Sequence, residues 1–567
     1  MSPTTPSPLF SLGLALTFGL SSSAVAGDVE VVYSEIVTSP TSLVPGALNS
    51  AGQPAVARFI ALEDMNVSHD GSQWVVKGRT DQGSTNDSIL LLGGGLTGTM
   101  FLQDDQPFLG GQPGELYDFF DSGNPVSWDE AGNIAFSARA KGGVSSVKEK
   151  LVFFDGVTHT VVLTESSPAL GLQDIASNPT GDELIGNSIG SVYLRNDGKI
   201  GFVNTPIQNC SSFNYPAYFL DNTGFLQSGV SAIAGETWDS FSLSGTGGTP
   251  DGAHWYSIGD TDAATSADGI LAVDGAVVLR EGQPVAGSTM IMTAVFDARM
   301  VSTGDWVARG DDPNNDDWAV RNNVLLAKTG DPISGSENYG DSFAALTLNR
   351  VGDWAMVTNT SEANADLDTV LLLNGAVVSR ESDPVDLDGN GQFDDGVFVR
   401  GYNANDLWLS DAGVIYAILT LKDAVGTNLG DAFVRLQAGP LVSYGSGCPG
   451  TGGFTPELSI SGNPTPGSQV LFSVQNGLGG ATSYLAIGFQ QAAVFMGSGC
   501  TLNVLPLQAF VGPIPLGGFG AGAGAVQLPL VLPAGTTGLT VTFQSFVADP
   551  GGALGFSNSN GFEMTIE

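Results

Sequence analysis

Seven times along this chain a turn ending in glycine runs directly into an apolar strand, and that repeat limits the available folds more than any other feature. The copies are HDGSQWVV at Gly71, EAGNIAFSA at Gly132, NDGKIGFV at Gly198, PDGAHWYSI at Gly252, STGDWVA at Gly304, RVGDWAMV at Gly352 and DAGVIYAIL at Gly413, spaced 48 to 66 residues apart. A polar loop and a second apolar strand follow each: SILLL, KLVFF, PAYFL, GILAV, NVLLA, TVLLL and AFVRL. In VDGAVVLRE and LNGAVVSRE an Asp-Gly or Asn-Gly pair then turns the chain into a third strand, the signature of a tight hairpin. Most units end in a proline-bearing connection, at Pro107, Pro168, Pro284, Pro332 and Pro384, and several reach a phenylalanine 11 to 14 residues on, at Phe119, Phe296, Phe343 and Phe398.

All-β units of this length stack radially or linearly, and a closed ring removes exposed sheet edges without capping units. The fold expected is all-β: a seven-bladed β-propeller over residues 27–440, followed by a small β-sandwich over residues 441–567. Residues 28–60 are the segment that could supply further strands or an eighth blade. No stretch carries a helical apolar period of convincing length.

Residues 1–26 read as a signal peptide, with an apolar core from Leu9 to Leu20 and Ala24-Val25-Ala26 at the expected cleavage point. The expected location is secreted or cell-surface. No later stretch reaches the about 20 apolar residues of a membrane span. The formal charge is -39, from 19 Lys and Arg against 58 Asp and Glu. Such a surface repels phosphate backbones, so nucleic acid is excluded as a partner, while cations and neutral or basic ligands are not.

Beyond Leu436 the composition changes: there is no Lys, Arg or His, and the acids are Glu457, Asp549, Glu563 and Glu567. A domain so poor in titratable groups is a poor place for acid–base or nucleophilic chemistry. Cys448 and Cys500 are expected to pair within it, leaving Cys210 as a buried thiol. The GSGCPG, GCTL and VADPGGALGFSNSNGFEMTI segments resemble a C-terminal domain common in secreted proteins of planctomycete-like bacteria. The repeats likewise resemble the tandem-repeat, propeller-type ectodomains of unknown function in such proteins. This resemblance implies fold and export, and carries no catalytic residue.

Two sets of residues stand out as candidate sites. The loops after the repeat strands are acidic in several units, with Asp260 and Asp262 in the fourth, Asp311 and Asp316 in the fifth, and Asp366 and Asp368 in the sixth. On a ring these loops share one face, as a rim able to gather cations or a polyhydroxylated ligand, or as ordinary solvated loops. DLDGNGQFDDG at 386–396 spaces oxygen ligands as calcium loops do: Asp386, Asp388, Asn390, the Gln392 carbonyl and Asp394, with Asp395 able to complete the shell. Its twelfth position is Val397 rather than Glu and neither flank is helical, so a structural Ca2+ staple between the sixth and seventh units is expected, not an EF-hand switch.

Trp74, Trp255, Trp306 and Trp354 share a register and read as core, whereas Trp128, Trp238, Trp318 and Trp408 lie outside it as candidates for ligand contact. His69, His159 and His254 have no metal-binding spacing, and no nucleophile elbow, zinc-protease pair or phosphate loop occurs in a credible context. The function expected is that of an exported, non-catalytic binding or cell-surface protein with an unknown extracellular ligand, a glycan or a surface protein. The alternatives are a secreted polysaccharide hydrolase or lyase using propeller-face carboxylates, and a structural surface component. Carboxylates with raised pKa in a central pocket would favour the enzyme.

Overall fold

The computed structural model describes residues 29–566, except 121–125, 144–147, 174–180, 211–214, 286–287, 335–336, 390–394, 438–440, 446, 462–463, 465, 468 and 537. The expected signal peptide lies outside the described residues. Every named strand pairing is antiparallel, and among the described residues no helix is long and apolar enough to cross a membrane.

The described residues form seven blades of four strands each, built in chain order except in the last, and the sheets of the second and sixth blades carry one further short strand, Ser127–Trp128 and Pro332–Ser334. Blade 1 runs Phe59–Val67, Trp74–Thr80, Ser88–Gly94, Thr97–Gln103. The first strands of blades 2 to 7 are Glu115–Phe120, Ile189–Leu194, Thr246–Gly248, Ala294–Met300, Glu337–Leu348 and Val397–Leu409. Blade 7 takes its fourth strand, Val29–Ser34, from the other end of the propeller segment, where Val29 pairs with Leu436 and Ser34 with Ala432. Val29–Ser34 therefore closes the ring rather than adding a blade, and among the described residues the propeller has seven.

Each repeat glycine lies between the first and second strands of its blade, at φ from 69° to 101°. That left-handed conformation favours glycine, and there is a second demand. A Cβ at Gly71 would stand 2.7 Å from Ser410 Cβ of blade 7, and one at Gly252 2.4 Å from the Arg195 guanidinium of blade 3. With Gly304 beside His254 of blade 4 and Gly352 beside Arg321 of blade 5, four of the seven turns thus press one blade onto its neighbour. Apolar faces then fill the space between blades: Tyr33, Phe59, Trp74, Tyr416 and Phe433 form one core where blade 7 meets blade 1, with Trp74 and Phe433 centroids 5.1 Å apart.

One strand expectation fails. In blade 5 the third strand is Asp317–Arg321 and NVLLA belongs to the fourth, Val324–Lys328. Its acidic loop spans only residues 312–316, so Asp317 and the rest of DWAVR belong to a strand and not to the loop.

The C-terminal residues form a five-stranded sheet and a three-stranded sheet around a core that includes Leu458, Phe472, Leu485, Phe543 and Phe562. A hairpin of Gln490–Gly497 and Cys500–Leu505 is tethered by the Cys448–Cys500 disulfide, Cα–Cα 4.7 Å. Cys210 is buried and outside any disulfide, and its Sγ accepts from Gln227 Nε2 at 3.6 Å.

Candidate axial site

The first strand of each blade is the innermost, because residues on first strands of non-adjacent blades act on one another across the ring. Asp64 of blade 1, Asp297 and Arg299 of blade 5 and Asp406 of blade 7 form one electrostatic group. Arg299 lies 3.7 Å from Asp297 and its guanidinium sits over the Trp408 ring, 5.5 Å from the centroid. Burial works against the Arg299 charge, but Asp297, Tyr256 and Asp64 together hold it above the usual arginine range.

Blade 7 delivers its contribution by a local departure from regular pairing. Along Val397–Leu409 the register moves from Tyr402 opposite Leu419 to Leu407 opposite Ala417, so Asn403, Ala404, Asn405 and Asp406 bulge out of the ladder. Extra residues in one strand bend it and re-aim its side chains. Asn405 adopts φ 68°, uncommon for a non-glycine residue, and accepts on Oδ1 from Arg309 Nη2 of blade 5 at 2.5 Å. Arg309 Nη1 donates to the Phe343 carbonyl of blade 6 at 2.6 Å. Arg309 is buried and burial lowers its pKa, an effect that Asp297 and Asp317 oppose. Ala404 and Asn405 are exposed, and Phe296, whose ring lies 5.7 Å from the Arg309 Cζ, is 49 % exposed.

Burial pushes the Asp406 carboxyl up to about 8; Asp64 and Asp431 add to the effect and Arg299 opposes it. At neutral pH Asp406 is thus a proton donor, unlike an ordinary aspartate. Desolvation pushes Tyr256, partly buried beside the same group, up to about 12. The mouth therefore combines an amide, an aromatic face, a protonated carboxyl and arginine-held carboxylates. Such a set makes several directional hydrogen bonds and one apolar contact, as recognition of a polyhydroxylated ligand requires.

The sequence-derived rim acids are used differently. Asp260 Oδ2 accepts from Ser240 Oγ at 2.8 Å, and Asp262 Oδ1 accepts from Thr237 N at 2.8 Å. Asp366 lies 3.4 Å from Lys422, and Asp368 Oδ1 accepts from Thr369 Oγ1 at 3.2 Å. Asp311 is raised by burial, and the Asp316 amide donates to Asp312 Oδ1 at 3.2 Å. These bonds tie each loop to its own or the adjoining blade and do not draw the six carboxylates into one cluster. A raised carboxyl among them is a repeat feature: Glu281 and Glu381 follow the fourth strands of blades 4 and 6, beside Asp268 and Asp368. Each lies within 3.4 Å of the amide that opens its third strand, at Gly269 and Thr369. Burial pushes Glu381 up to about 7.

At the calcium-type loop, ligand oxygens of Asp386, Asp388 and Asp395 all lie within 4.8 Å of one another. Asn390, Gln392 and Asp394 lie outside the described residues. The Asp386 amide donates to the Val29 carbonyl and its carbonyl accepts from the Val31 amide, both at 3.1 Å, so the loop grips the strand that closes the ring. Three converging carboxylates offering only oxygen fit a hard divalent cation such as Ca2+.

Of the four tryptophans proposed for ligand contact, Trp128, Trp238 and Trp318 are at most 3 % exposed and belong to blade cores. Trp128 and Trp318 lie on other strands of their blades and Trp238 just after a short strand, so being out of the repeat register did not mean facing solvent. Trp408 lies at the axis. Apart from Trp408, sequence reading missed the axial group; the signal it left is the YNAND insertion between VFVRG and LWLS in the first strand of blade 7.

No family model matches the chain, and no curated protein matches it. Among solved structures it is similar to Trypanosoma rangeli sialidase in complex with 2,3-difluorosialic acid, at 8 % identity over 93 % of this chain and 91 % of that one, TM-score 0.30. The GH43 BlXynB protein from Bacillus licheniformis aligns at 10 % identity over 89 % and 97 %, TM-score 0.20. A tetra-tandem repeat in the extending region of a large adhesion protein aligns at 10 % over 88 % and 97 %, TM-score 0.13. Likenesses this slight carry no argument, and the fold assignment rests on the sheet order above.

Proposed function

We propose that this is an exported binding or cell-surface protein whose propeller takes a neutral, polyhydroxylated ligand, a glycan, at the axial mouth. The observation that supports this reading is the bulge of blade 7, which holds the exposed Asn405 amide beside the half-exposed Phe296 ring over buried Arg309 and the Asp297 and Asp406 carboxyls. The loop at Asp386 is a Ca2+ staple for ring closure, held by Asp386, Asp388 and Asp395 with the Asn390, Gln392 and Asp394 positions. The sparsely charged C-terminal sandwich serves attachment.

One observation favours a second reading, hydrolysis of a polysaccharide. Asp406, pushed up to about 8, with the Asp64 carboxylate acting on it, is the environment of a general acid. A calorimetric titration of the mature protein against neutral oligosaccharides, with the same mixtures assayed for new reducing ends, separates the two. Saturable heat without reducing ends is the result expected. Reducing ends that disappear in Asp406→Asn would establish hydrolysis, and neither signal would remove the glycan reading.

A further inference from the structure

The end of the axis opposite the Asn405 mouth is where the seven repeat turns converge. Two residues before the turn glycines stand His69, Glu130, Asn196, Pro250, Ser302, Arg350 and Asp411, one from each blade. Six of them are linked. The Asp411 amide donates to the His69 carbonyl at 2.8 Å, joining blades 7 and 1. Arg350 N donates to Asp411 Oδ1 at 2.9 Å and Arg350 Nε to Oδ2 at 2.6 Å, joining blades 6 and 7. Glu130 N donates to Asn196 Oδ1 at 3.0 Å, Asn196 Nδ2 donates back to Glu130 Oε2 at 3.1 Å, and Asn196 N donates to the Pro250 carbonyl at 2.6 Å, so blades 2, 3 and 4 form a second chain.

Arg350 joins the two chains. Its Nη1 donates to Glu130 Oε1 at 3.0 Å, and since blades 6 and 2 are not neighbours this bond crosses the axis. Nearby lies a small cavity of about 30 Å3 bordered by His69, Arg299, Asn349, Trp408 and Asp411. It has room for about one water, far short of the several hundred Å3 of a ligand pocket. The same sequence position thus supplies an arginine in one blade and acids in two others.

We propose that Arg350 is the keystone of an axial plug that closes the turn face of the ring, so that the axis is a blind well reached from the Asn405 side alone. The use of that well for a ligand rests on the reading given above; the plug does not. Arg350, Glu130 and Asp411 keep 28 %, 42 % and 19 % of their side-chain exposure, and pairs as exposed as these contribute little to global stability. What the network controls is local opening, because one guanidinium holds groups from three blades.

Hydrogen exchange followed by mass spectrometry on the mature protein, Arg350→Met, Glu130→Gln and the double variant tests this without any ligand. The expected result is about tenfold faster exchange in the segments around His69, Glu130 and Leu407–Asp411 in each single variant. The double variant should be no faster than the faster single, and the sandwich should be unchanged. Unchanged exchange at Leu407–Asp411 in the single variants, or full additivity in the double, would mark separate surface contacts and overturn the plug. Should Arg350→Met fail to fold, the near-isosteric Glu130→Gln decides by the same criterion. Loss of glycan binding with these exchange results intact would count against the ligand reading only.

Discussion

The propeller and the C-terminal sandwich are built from the same material, antiparallel strands joined by glycine-rich turns, yet they use side chains in opposite ways. Four of the 58 acids and none of the 19 bases lie beyond Leu436, so -35 of the -39 formal charge belongs to the residues before it. The propeller spends its charged groups on cross-blade bonds, as in the Arg309–Asn405 and Arg350–Glu130 pairs. The sandwich relies on a disulfide and on uncharged hydrogen bonds such as Ser483–Ser545 and Asn503–Gln544. It also leaves apolar side chains in water, with Phe495 71 % and Phe519 96 % exposed. A ring must fix the mutual placement of blades that share no backbone ladder, and directional charged bonds do that. A sandwich closed by its own ladders has no such need.

This contrast makes predictions that can be ranked. The largest concerns the sandwich: Cys448→Ser with Cys500→Ser should remove about 4 kcal/mol from its unfolding free energy, from the 52-residue loop released, and leave the propeller transition in place. Calorimetry with two resolved transitions checks it, and an equal shift in both would show that the units unfold together.

The next concerns Asp406. Its folded carboxyl, at about 8, holds a proton that the unfolded chain releases near pH 4. The folded state therefore binds more protons across this window, and propeller stability falls as pH rises from 4 to 8. After discounting for solvent at the mouth, the effect is on the order of 3 kcal/mol. Asp406→Asn should flatten that part of the pH dependence in urea titrations and leave the variant more stable than wild type at pH 8.

A third effect is metal removal. If Ca2+ bridges the loop at Asp386 to ring closure, a chelator should destabilise the propeller transition by about 2.7 kcal/mol relative to Ca2+ at a hundredfold excess over Kd. Asp388→Asn should abolish that response, with bound metal measured by atomic absorption, and the sandwich should be indifferent. The smallest effect is at Glu381, at about 7 in the folded chain. It follows the same sign as Asp406 over pH 4.5 to 7, and Glu381→Gln should remove about 1 kcal/mol of pH dependence, read from the same urea series.

The fold was legible because its determinants are local and repeated. A glycine at left-handed φ recurs at all seven turns, and at Gly71, Gly252, Gly304 and Gly352 close approach to the neighbouring blade adds a second demand. The hairpin pairs Asp274-Gly275 and Asn374-Gly375, at φ 50° and 80° and at 50° and 83°, announce third and fourth strands in the same way. The Cys448–Cys500 pair was likewise foreseeable, since both cysteines fall in one small domain. The axial group was not legible, because Asp64, Arg299 and Asp406 are hundreds of residues apart and meet only when the ring closes. The local bonding of the rim acids was not legible for a related reason. Asp260 and Asp262 sit where a ligand face was expected, but Ser240 and Thr237 engage them locally.

The most direct test of the central claim, that recognition resides at the propeller axis and not in the sandwich, is a calorimetric titration with neutral oligosaccharides of three variants beside the wild type. Asn405→Ala and Phe296→Ala remove the axial amide and ring, and Phe510→Ser removes an exposed aromatic of the sandwich. The account predicts at least about tenfold weaker binding, roughly 1.4 kcal/mol, in each axial variant and wild-type affinity in Phe510→Ser. Wild-type affinity in both axial variants, or loss confined to Phe510→Ser, would contradict it.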